Sequence, residues 1–103
     1  MKKTIVFAAL IGLMATPALA EDGAALYAEK TCGACHGADG KKPLMPNYPK
    51  IAGQNAAYLE AQMLDIKSGK RNNGQTAAMK GVMHLVDEAQ IKTLADYISK
   101  LAP

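Results

Sequence analysis

The amino-acid sequence predicts a small all-α domain with long loops, and three observations support this fold class. Apolar residues recur at helical spacing in more than one segment, no segment alternates apolar and polar residues as a strand does, and turn-rich stretches separate the helical ones. The length of 103 residues allows one domain and excludes a TIM barrel or a doubly wound dinucleotide-binding fold.

Residues 1–20 differ in character from the rest of the chain. A short basic start precedes an apolar run that ends at Ala15, and the small residues Ala18 and Ala20 form an A-x-A-like pattern. We interpret this segment as a secretory signal peptide cleaved after Ala20, which leaves residues 21–103 as the mature domain in the periplasm. The apolar run is too short to span a bilayer and no second run follows it, so we predict no transmembrane span.

The mature domain is short of large apolar side chains. It contains fourteen Ala and four Tyr as its only aromatic residues, and ten Lys and Arg nearly balance nine Asp and Glu. So small a chain buries little apolar surface to offset its conformational entropy. Small domains of this kind usually need a disulfide, a metal or another stabilising group, so the composition raises the question of what completes the core.

The first half of the mature chain contains two predicted helices and a loop. Asp22 is predicted to cap a helix over 23–31. Residues 37–53 contain three Pro and three Gly, which is typical of a loop. Asn55 is predicted to cap the next helix, which stops at Gly69. Its apolar face is formed by Leu59, Met63 and Ile66.

The C-terminal segment carries the clearest helical pattern. Asp87 and Gln90 form a capping box, in which each side chain can accept the backbone N–H of the other residue. One apolar face follows, formed by Ile91, Leu94, Ala95, Ile98 and Leu101. Residues 69–78, between this helix and the preceding one, are polar and turn-rich, and we expect a loop there.

Both cysteines lie in one segment, Cys32-Gly-Ala-Cys35-His36, which has four interpretations. A disulfide closes too small a loop to constrain the unfolded chain much, and a thioredoxin-like redox pair needs a preceding strand. A zinc site needs a fourth ligand, which only the distant His84 offers at an unusual spacing. The fourth interpretation is C-x-x-C-H, the attachment motif of c-type haem.

The C-x-x-C-H spacing has a physical basis. Two thiols on one helical turn can each add to a vinyl group of the porphyrin, and His36 then lies beneath the ring with its imidazole towards the iron. A large apolar group would also complete the core. We therefore predict one haem c, attached through Cys32 and Cys35, with His36 as the proximal iron ligand.

The whole mature chain resembles the class I c-type cytochromes, and especially a single domain of the bacterial periplasmic dihaem cytochromes c and their monohaem relatives. The resemblance rests on C-G-A-C-H-G at 32–37, N-Y-P-K-I-A-G-Q at 47–54, A-A-M-K-G-V at 77–82 and the ending L-A-D-Y-I of the last helix. It implies a small cytochrome c fold, with three to five helices and long loops around one covalent haem.

The resemblance also implies how the first and last helices pack. In the family these helices cross near the haem. Gly23 and Tyr27 are therefore expected to pack against Leu94 and Tyr97, with Gly23 allowing the close approach.

A sixth iron ligand follows from the same resemblance. The family takes it from a Met in the loop ahead of the last helix, in the setting Met-basic-Gly, and the corresponding residue here is Met79. A thioether is a soft, uncharged ligand that favours ferrous iron. Met83, one helical turn further on, and His84 are the alternatives.

The family supports its proximal His through the carbonyl of a Pro in the loop after the attachment motif. Hydrogen bonding to a carbonyl fixes the orientation and tautomer of a ligating imidazole. By distance from His36 this residue is predicted to be Pro46, with Pro43 and Pro49 as alternatives.

The basic residues allow two interpretations. They can ring a haem edge and steer an acidic redox partner, or simply form the solvated surface of a nearly neutral domain. They are not clustered with stacking aromatic residues, so we expect no nucleic-acid binding. The residues in question are Lys41, Lys42, Lys50, Lys67, Lys70, Arg71 and Lys80.

The predicted function is that of a monomeric, monohaem one-electron carrier that cycles between Fe(II) and Fe(III). Its expected partners are redox proteins such as membrane-bound oxidoreductases or oxidases. The chain shows no general acid–base pair, nucleophile elbow or phosphate loop, so we do not expect an enzyme. The alternatives are a haem-bearing subunit of a larger oxidoreductase and a ligand-binding haem protein with an open sixth position.

Overall fold

The computed structural model describes residues 21–103, and the predicted signal peptide with its cleavage site lies outside these residues. The described chain forms five α-helices and contains no strand, which confirms the all-α fold class. The helices are α1 (Gly23–Glu29), α2 (Cys32–His36), α3 (Ala56–Ser68), α4 (Thr76–Met83) and α5 (Glu88–Ser99). No helix in this range is long and apolar enough to cross a membrane.

The helix ends follow the predicted capping residues. Asp22 and Asn55 each accept a backbone N–H through a side-chain oxygen at 3.0 Å, and Gly69 ends α3 in the left-handed conformation. At the start of α5, Asp87 accepts the N–H of Gln90 at 2.8 Å and Gln90 accepts the N–H of Asp87 at 3.0 Å. The capping box is therefore confirmed.

Helix α4 is the element that the sequence pattern does not predict. The expected loop over 69–78 ends early, because Thr76 already begins a helix that continues to Met83. Its start lacks the usual signal, since the N-cap residue Gln75 makes no side-chain capping bond. Met79 consequently lies within a helix, and not in the loop that the resemblance implies.

The core lies where α1 and α3 pack against α5. The predicted apolar faces of α3 and α5 are buried, except for Leu101, which follows α5 and is half-buried. Helix α2 packs on α1, and α4 packs on α3 alone among the helices. The buried cluster contains Leu26, Tyr27, Leu59, Met63, Ile66, Met83, Val86, Ile91, Leu94, Ala95 and Ile98.

Helices α1 and α5 approach most closely at Gly23. A Cβ atom added to Gly23 would overlap the Cβ of Tyr97 and lie 3.0 Å from its Cγ. One turn along α1, the rings of Tyr27 and Tyr97 have centroids 5.8 Å apart at an interplanar angle of 55°. The expected packing of Gly23 and Tyr27 against α5 is confirmed.

Replacing Gly23 with Ala should lower the free energy of unfolding by about 1–3 kcal/mol, because the added methyl group forces α1 away from α5. Gly81→Ala is the matched control: this exposed helical glycine has no atom within 4 Å of the new Cβ. There Ala should raise stability by ~0.5–1 kcal/mol through helix propensity. Urea unfolding measures both variants, and effects of the same sign would contradict the prediction.

Candidate functional site

Helix α2 carries the cysteine–histidine segment and is anchored at its C-terminal end. Tyr27 of α1 donates its hydroxyl hydrogen to the carbonyl of Gly37 at 2.7 Å. Gly37 has φ +91°, and a Cβ at this position would lie 2.5 Å from the carbonyl oxygen of Lys42. Only glycine fits there, so the residue after His36 is fixed by α1 on one side and by the loop on the other.

His36 is buried, with 7% of its surface exposed, and its Nδ1 lies 2.8 Å from the carbonyl oxygen of Pro49. A carbonyl only accepts hydrogen bonds, so Nδ1 must carry the hydrogen. In the neutral ring the other nitrogen, Nε2, then keeps its lone pair. A neutral imidazole held in this way is suited to binding a metal through Nε2.

The prediction of Pro46 as the supporting residue is wrong, because the carbonyl belongs to Pro49. The N–H of Tyr48 donates to the carbonyl of Met45 at 3.0 Å, which closes a turn with Pro46 at its second position. Pro46 is exposed in that turn, and the chain returns to His36 only at Pro49. Pro49 also lies within the 47–54 segment that carries the family resemblance, and this signal favours it over Pro46.

Cys32 and Cys35 are half-buried, are not joined by a disulfide, and line the same cavity as His36. Burial, with a smaller effect of Cys35, raises the pKa of the Cys32 thiol to about 11. Redox-active cysteines have lowered pKa values, so this environment does not favour a thioredoxin-like pair. Within residues 21–103, no three His, Cys, Asp or Glu side chains converge as a structural zinc site would require.

The cavity has a volume of about 500 Å³ and lies between α2, the 47–51 segment, α3 and α4, with α5 behind. Side chains of the core form its apolar wall, including Leu59, Met63, Ile66, Met83, Val86, Leu94 and Ile98. Its polar rim includes Asn47, Lys50, Gln54, Gln62, Arg71, Asn73 and Gln75. Since protein interiors are otherwise close-packed, a cleft of this size within the core has the form of a ligand site.

A second depression, of about 610 Å³, lies between α1, α3 and α5 on another face. It is more open to solvent, and charged side chains such as Glu21, Glu60 and Lys92 line it. None of the candidate cofactor residues reaches it. The smaller cavity is therefore the candidate site, because all the metal-binding and attachment chemistry is there.

Two methionines of α4 reach this cavity, and they differ in burial. Met79 is half-buried, whereas Met83 is 2% exposed and belongs to the core cluster. His84 is exposed and does not line the cavity. The structure thus brings Met79 and Met83 to the site and leaves His84 outside it.

The basic residues have different surroundings, and only Lys50 and Arg71 line the cavity. Arg71 is half-buried, and its guanidinium donates to the side-chain oxygen of Gln62 at 3.2 Å. Lys67 is also half-buried and donates to the carbonyl of Met83 at 2.9 Å. The sequence pattern gives no indication of this last contact, which joins two helices. A basic docking surface stays a prediction.

The group that fits this site has an apolar body, two points of covalent attachment and a metal. The thiols of Cys32 and Cys35 lie on the wall next to His36, whose Nε2 is free to ligate. The thioethers of α4 supply a soft donor on the same cavity. Two thiols, an imidazole and a thioether are the groups that a covalently attached haem requires. Polar side chains at the rim of the cavity can form hydrogen bonds with the carboxylates of the haem.

Comparison with known proteins agrees with a covalently attached haem. Residues 20–102 match the family model described as Cytochrome c. Cytochrome c4 of Pseudomonas aeruginosa is 42% identical over 90 residues, which cover 86% of this chain and 43% of that protein. Cytochrome c-553 of Nitratidesulfovibrio vulgaris is 35% identical over 104 residues, which cover 98% of this chain and 100% of that protein.

A solved structure is similar over most of the described chain. The crystal structure of reduced recombinant cytochrome c4 from Pseudomonas stutzeri superposes with a TM-score of 0.70 at 34% identity. The match covers 85% of this chain and 50% of that one. The chain therefore spans about half the length of the cytochrome c4 proteins that it resembles, and the full length of the cytochrome c-553.

Replacing Tyr27 with Phe should change the alkaline stability of the protein. Burial, then the nearby Cys32, Tyr97 and Asp39, raises the pKa of Tyr27 to about 12 from an ordinary value of 10.0. The folded state thus holds this proton more tightly than the unfolded state. The contribution of neutral Tyr27 to the free energy of unfolding is fully present below about pH 10. It is lost as the pH rises from about 10 to 12.

In Tyr27→Phe this loss should be smaller, while at neutral pH the missing hydrogen bond to Gly37 should cost about 1 kcal/mol. Unfolding free energies measured from neutral pH to about pH 12 test both effects. The unchanged protein, measured over the same pH range, is the control for general alkaline destabilisation. An alkaline loss in Tyr27→Phe as large as in the control would refute the assignment.

Proposed function

Because the chain belongs to the cytochrome c family, whose members carry covalently bound haem c, we propose that it is a monohaem one-electron carrier. The observation that carries the proposal is the convergence of His36, two thiols and a methionine on one apolar cavity. The haem iron supplies the redox chemistry when bound, by alternating between Fe(II) and Fe(III). The chain has to hold, orient and shield that group.

Cys32 and Cys35 are the proposed attachment residues, and His36 is the proposed proximal ligand. The support is their common position on the cavity wall and the hydrogen bond from His36 Nδ1–H to Pro49. This bond orients the imidazole and makes Nε2 a better donor. Because the carbonyl of Pro49 stays an acceptor in every state, the tautomer of His36 need not change during electron transfer.

Met79 is the proposed sixth ligand. Its side chain is half-buried on the cavity, as a ligand reaching into it would be, and A-A-M-K-G-V is part of the family resemblance. Met83 remains the alternative, although its burial within the core cluster favours the role of a packing residue. An uncharged thioether in an apolar cavity favours the less charged Fe(II) state, which raises the reduction potential.

The setting of this function is part of the proposal. Export through the segment 1–20, with cleavage after Ala20, would place the domain in the periplasm, where membrane-bound oxidoreductases or oxidases would be its redox partners. We infer no catalysis by side chains, because the side chains that line the cavity suit the binding of an apolar group and do not include a paired acid and base. The match to cytochrome c-553, which covers 100% of that protein, supports a single-domain carrier.

A second candidate function has its own observation. The chain matches about half of the cytochrome c4 proteins in sequence and half of a solved cytochrome c4 chain. A domain of this type can therefore work beside another domain or subunit as a fixed module. Size-exclusion chromatography of the mature holoprotein separates the two: a lone monomer supports the carrier, and a stable complex supports the module.

Haem attachment through Cys32 and Cys35 predicts the mass of the exported protein. The intact mass should equal that of residues 21–103 plus one haem, and acidic organic solvent should not extract the haem. A Cys32→Ser, Cys35→Ser double variant should lose covalent haem, whereas the exposed-site control His84→Ala should keep it. Covalent haem in the double variant would disprove the attachment sites.

The choice between Met79 and Met83 is tested by the oxidised spectrum. Met79→Ala should abolish the weak long-wavelength band that comes from sulfur-to-iron charge transfer and should let the reduced protein bind carbon monoxide. Met83→Ala should keep the band but lower the free energy of unfolding by about 2–5 kcal/mol, since this side chain is buried. Loss of the band only in Met83→Ala would reverse the assignment. Carbon monoxide binding by the unchanged protein would support an open sixth position.

A further inference from the structure

We propose that Lys67 is a positioning residue that holds helix α4 against α3 and thereby sets the place of Met79. The inference rests on the proposed function in one respect, the assignment of Met79 as the iron ligand. Lys67 belongs to α3, a different helix from that of Met79, and contributes no atom to the wall of the cavity.

Helix α4 depends on few attachments to the rest of the molecule. It packs on α3 alone among the helices, and no side chain caps its start. A polar loop over residues 69–75 precedes it, and only Thr76 and Met83 among its eight residues are buried. A short helix of this kind is marginal by itself and takes its stability from tertiary contacts.

The contact from α3 is a hydrogen bond from a cation to the end of α4. The ammonium group of Lys67 donates to the carbonyl oxygen of Met83 at 2.9 Å, in a half-buried position. Among the described residues this is the hydrogen bond that joins α3 to α4. The last carbonyls of a helix lack helical donors and carry partial negative charge, so a cation there completes the hydrogen bonding and complements the dipole.

No carboxylate competes for this ammonium group. Within residues 21–103 the ion pairs are Lys41 with Asp39 and Lys100 with Asp96, and neither involves Lys67. The backbone donor to the carbonyl of Met83 is the N–H of Val86, at a longer 3.2 Å. Lys67 is thus the closer donor to that carbonyl, and hydrogen bonds from charged donors are the stronger ones.

The geometry transmits this contact to Met79. Met79 lies one turn before Met83 on the same helix, so the two residues move together if α4 shifts on α3. Lys67 fixes the C-terminal end of α4, and the buried side chain of Met83 fixes the same end in the core. Loss of the ammonium group therefore loosens the helix that carries the proposed ligand, without removing any ligand.

The test is Lys67→Met in the holoprotein, which keeps the apolar stem and removes the donor. Hydrogen exchange of the backbone amides at the end of α4, at residues 84–86, should become at least about tenfold faster, as expected for losing a bond from a charged donor. The oxidised protein should bind added imidazole at least about tenfold more tightly, and the sulfur-to-iron band should weaken. Lys67→Arg, which restores a charged donor, should return all three properties to those of the unchanged protein.

Lys92→Met is the matched control, because Lys92 is an exposed lysine on α5 whose ammonium group makes no hydrogen bond within the described residues. Exchange in Lys67→Met equal to that of the control would overturn the proposal. Faster exchange with unchanged imidazole affinity and an unchanged band would overturn it too, because α4 would then be loosened without moving the ligand. The assignment of Met79 as the iron ligand is tested separately: it is wrong if Met79→Ala keeps the sulfur-to-iron band.

Discussion

The hydrogen bond from His36 Nδ1 to the carbonyl of Pro49 is the constraint on which the site depends. It fixes the tautomer of the neutral imidazole and leaves Nε2 without a hydrogen, as the proposed role of His36 as an iron ligand requires. It also ties the long loop of residues 37–53 back to α2, across thirteen positions of sequence. Backbone bonds from Leu44 to Cys35 at 2.9 Å, and from Ile51 to Gly40 at 2.8 Å, close the same loop at two further points. A loop rich in Pro and Gly is thereby held in one form.

The same residues serve folding and function. The apolar faces of α3 and α5 form the core, and side chains from those faces also form the wall of the cavity. The chain has few large apolar side chains, and the space that they would fill in the core is the cavity. This space is available for the haem that the family carries. Folding around the haem and shielding the haem from water have the same requirement, because in both cases the apolar faces of α3 and α5 must pack against it.

The helices contribute unequally to this arrangement. The crossing of α1 and α5 is set by close backbone approach at Gly23, and Tyr27 transmits it to α2 through the carbonyl of Gly37. The side of the cavity that carries His36 is therefore built on this close approach. The opposite side rests on α4, which is short and packs on α3 alone. The proposed ligand Met79 lies on this less firmly attached helix, so a contact that positions α4 has most effect there.

The sequence by itself determined the features that depend on neighbours within one helical turn. Asp22, Asn55 and the Asp87–Gln90 box bond to amides two or three residues away, and the cysteine–histidine spacing is itself local, so each was predictable. Tertiary structure decided the rest. The turn from Met45 to Tyr48 brings the carbonyl of Pro49, and not that of Pro46, to His36. Helix α4 forms without a side-chain cap, and Lys67 bonds to the carbonyl of Met83, sixteen residues further along the chain. Such contacts join residues that are distant in sequence, and the packing of the helices and the loop around the cavity determines which of these residues meet.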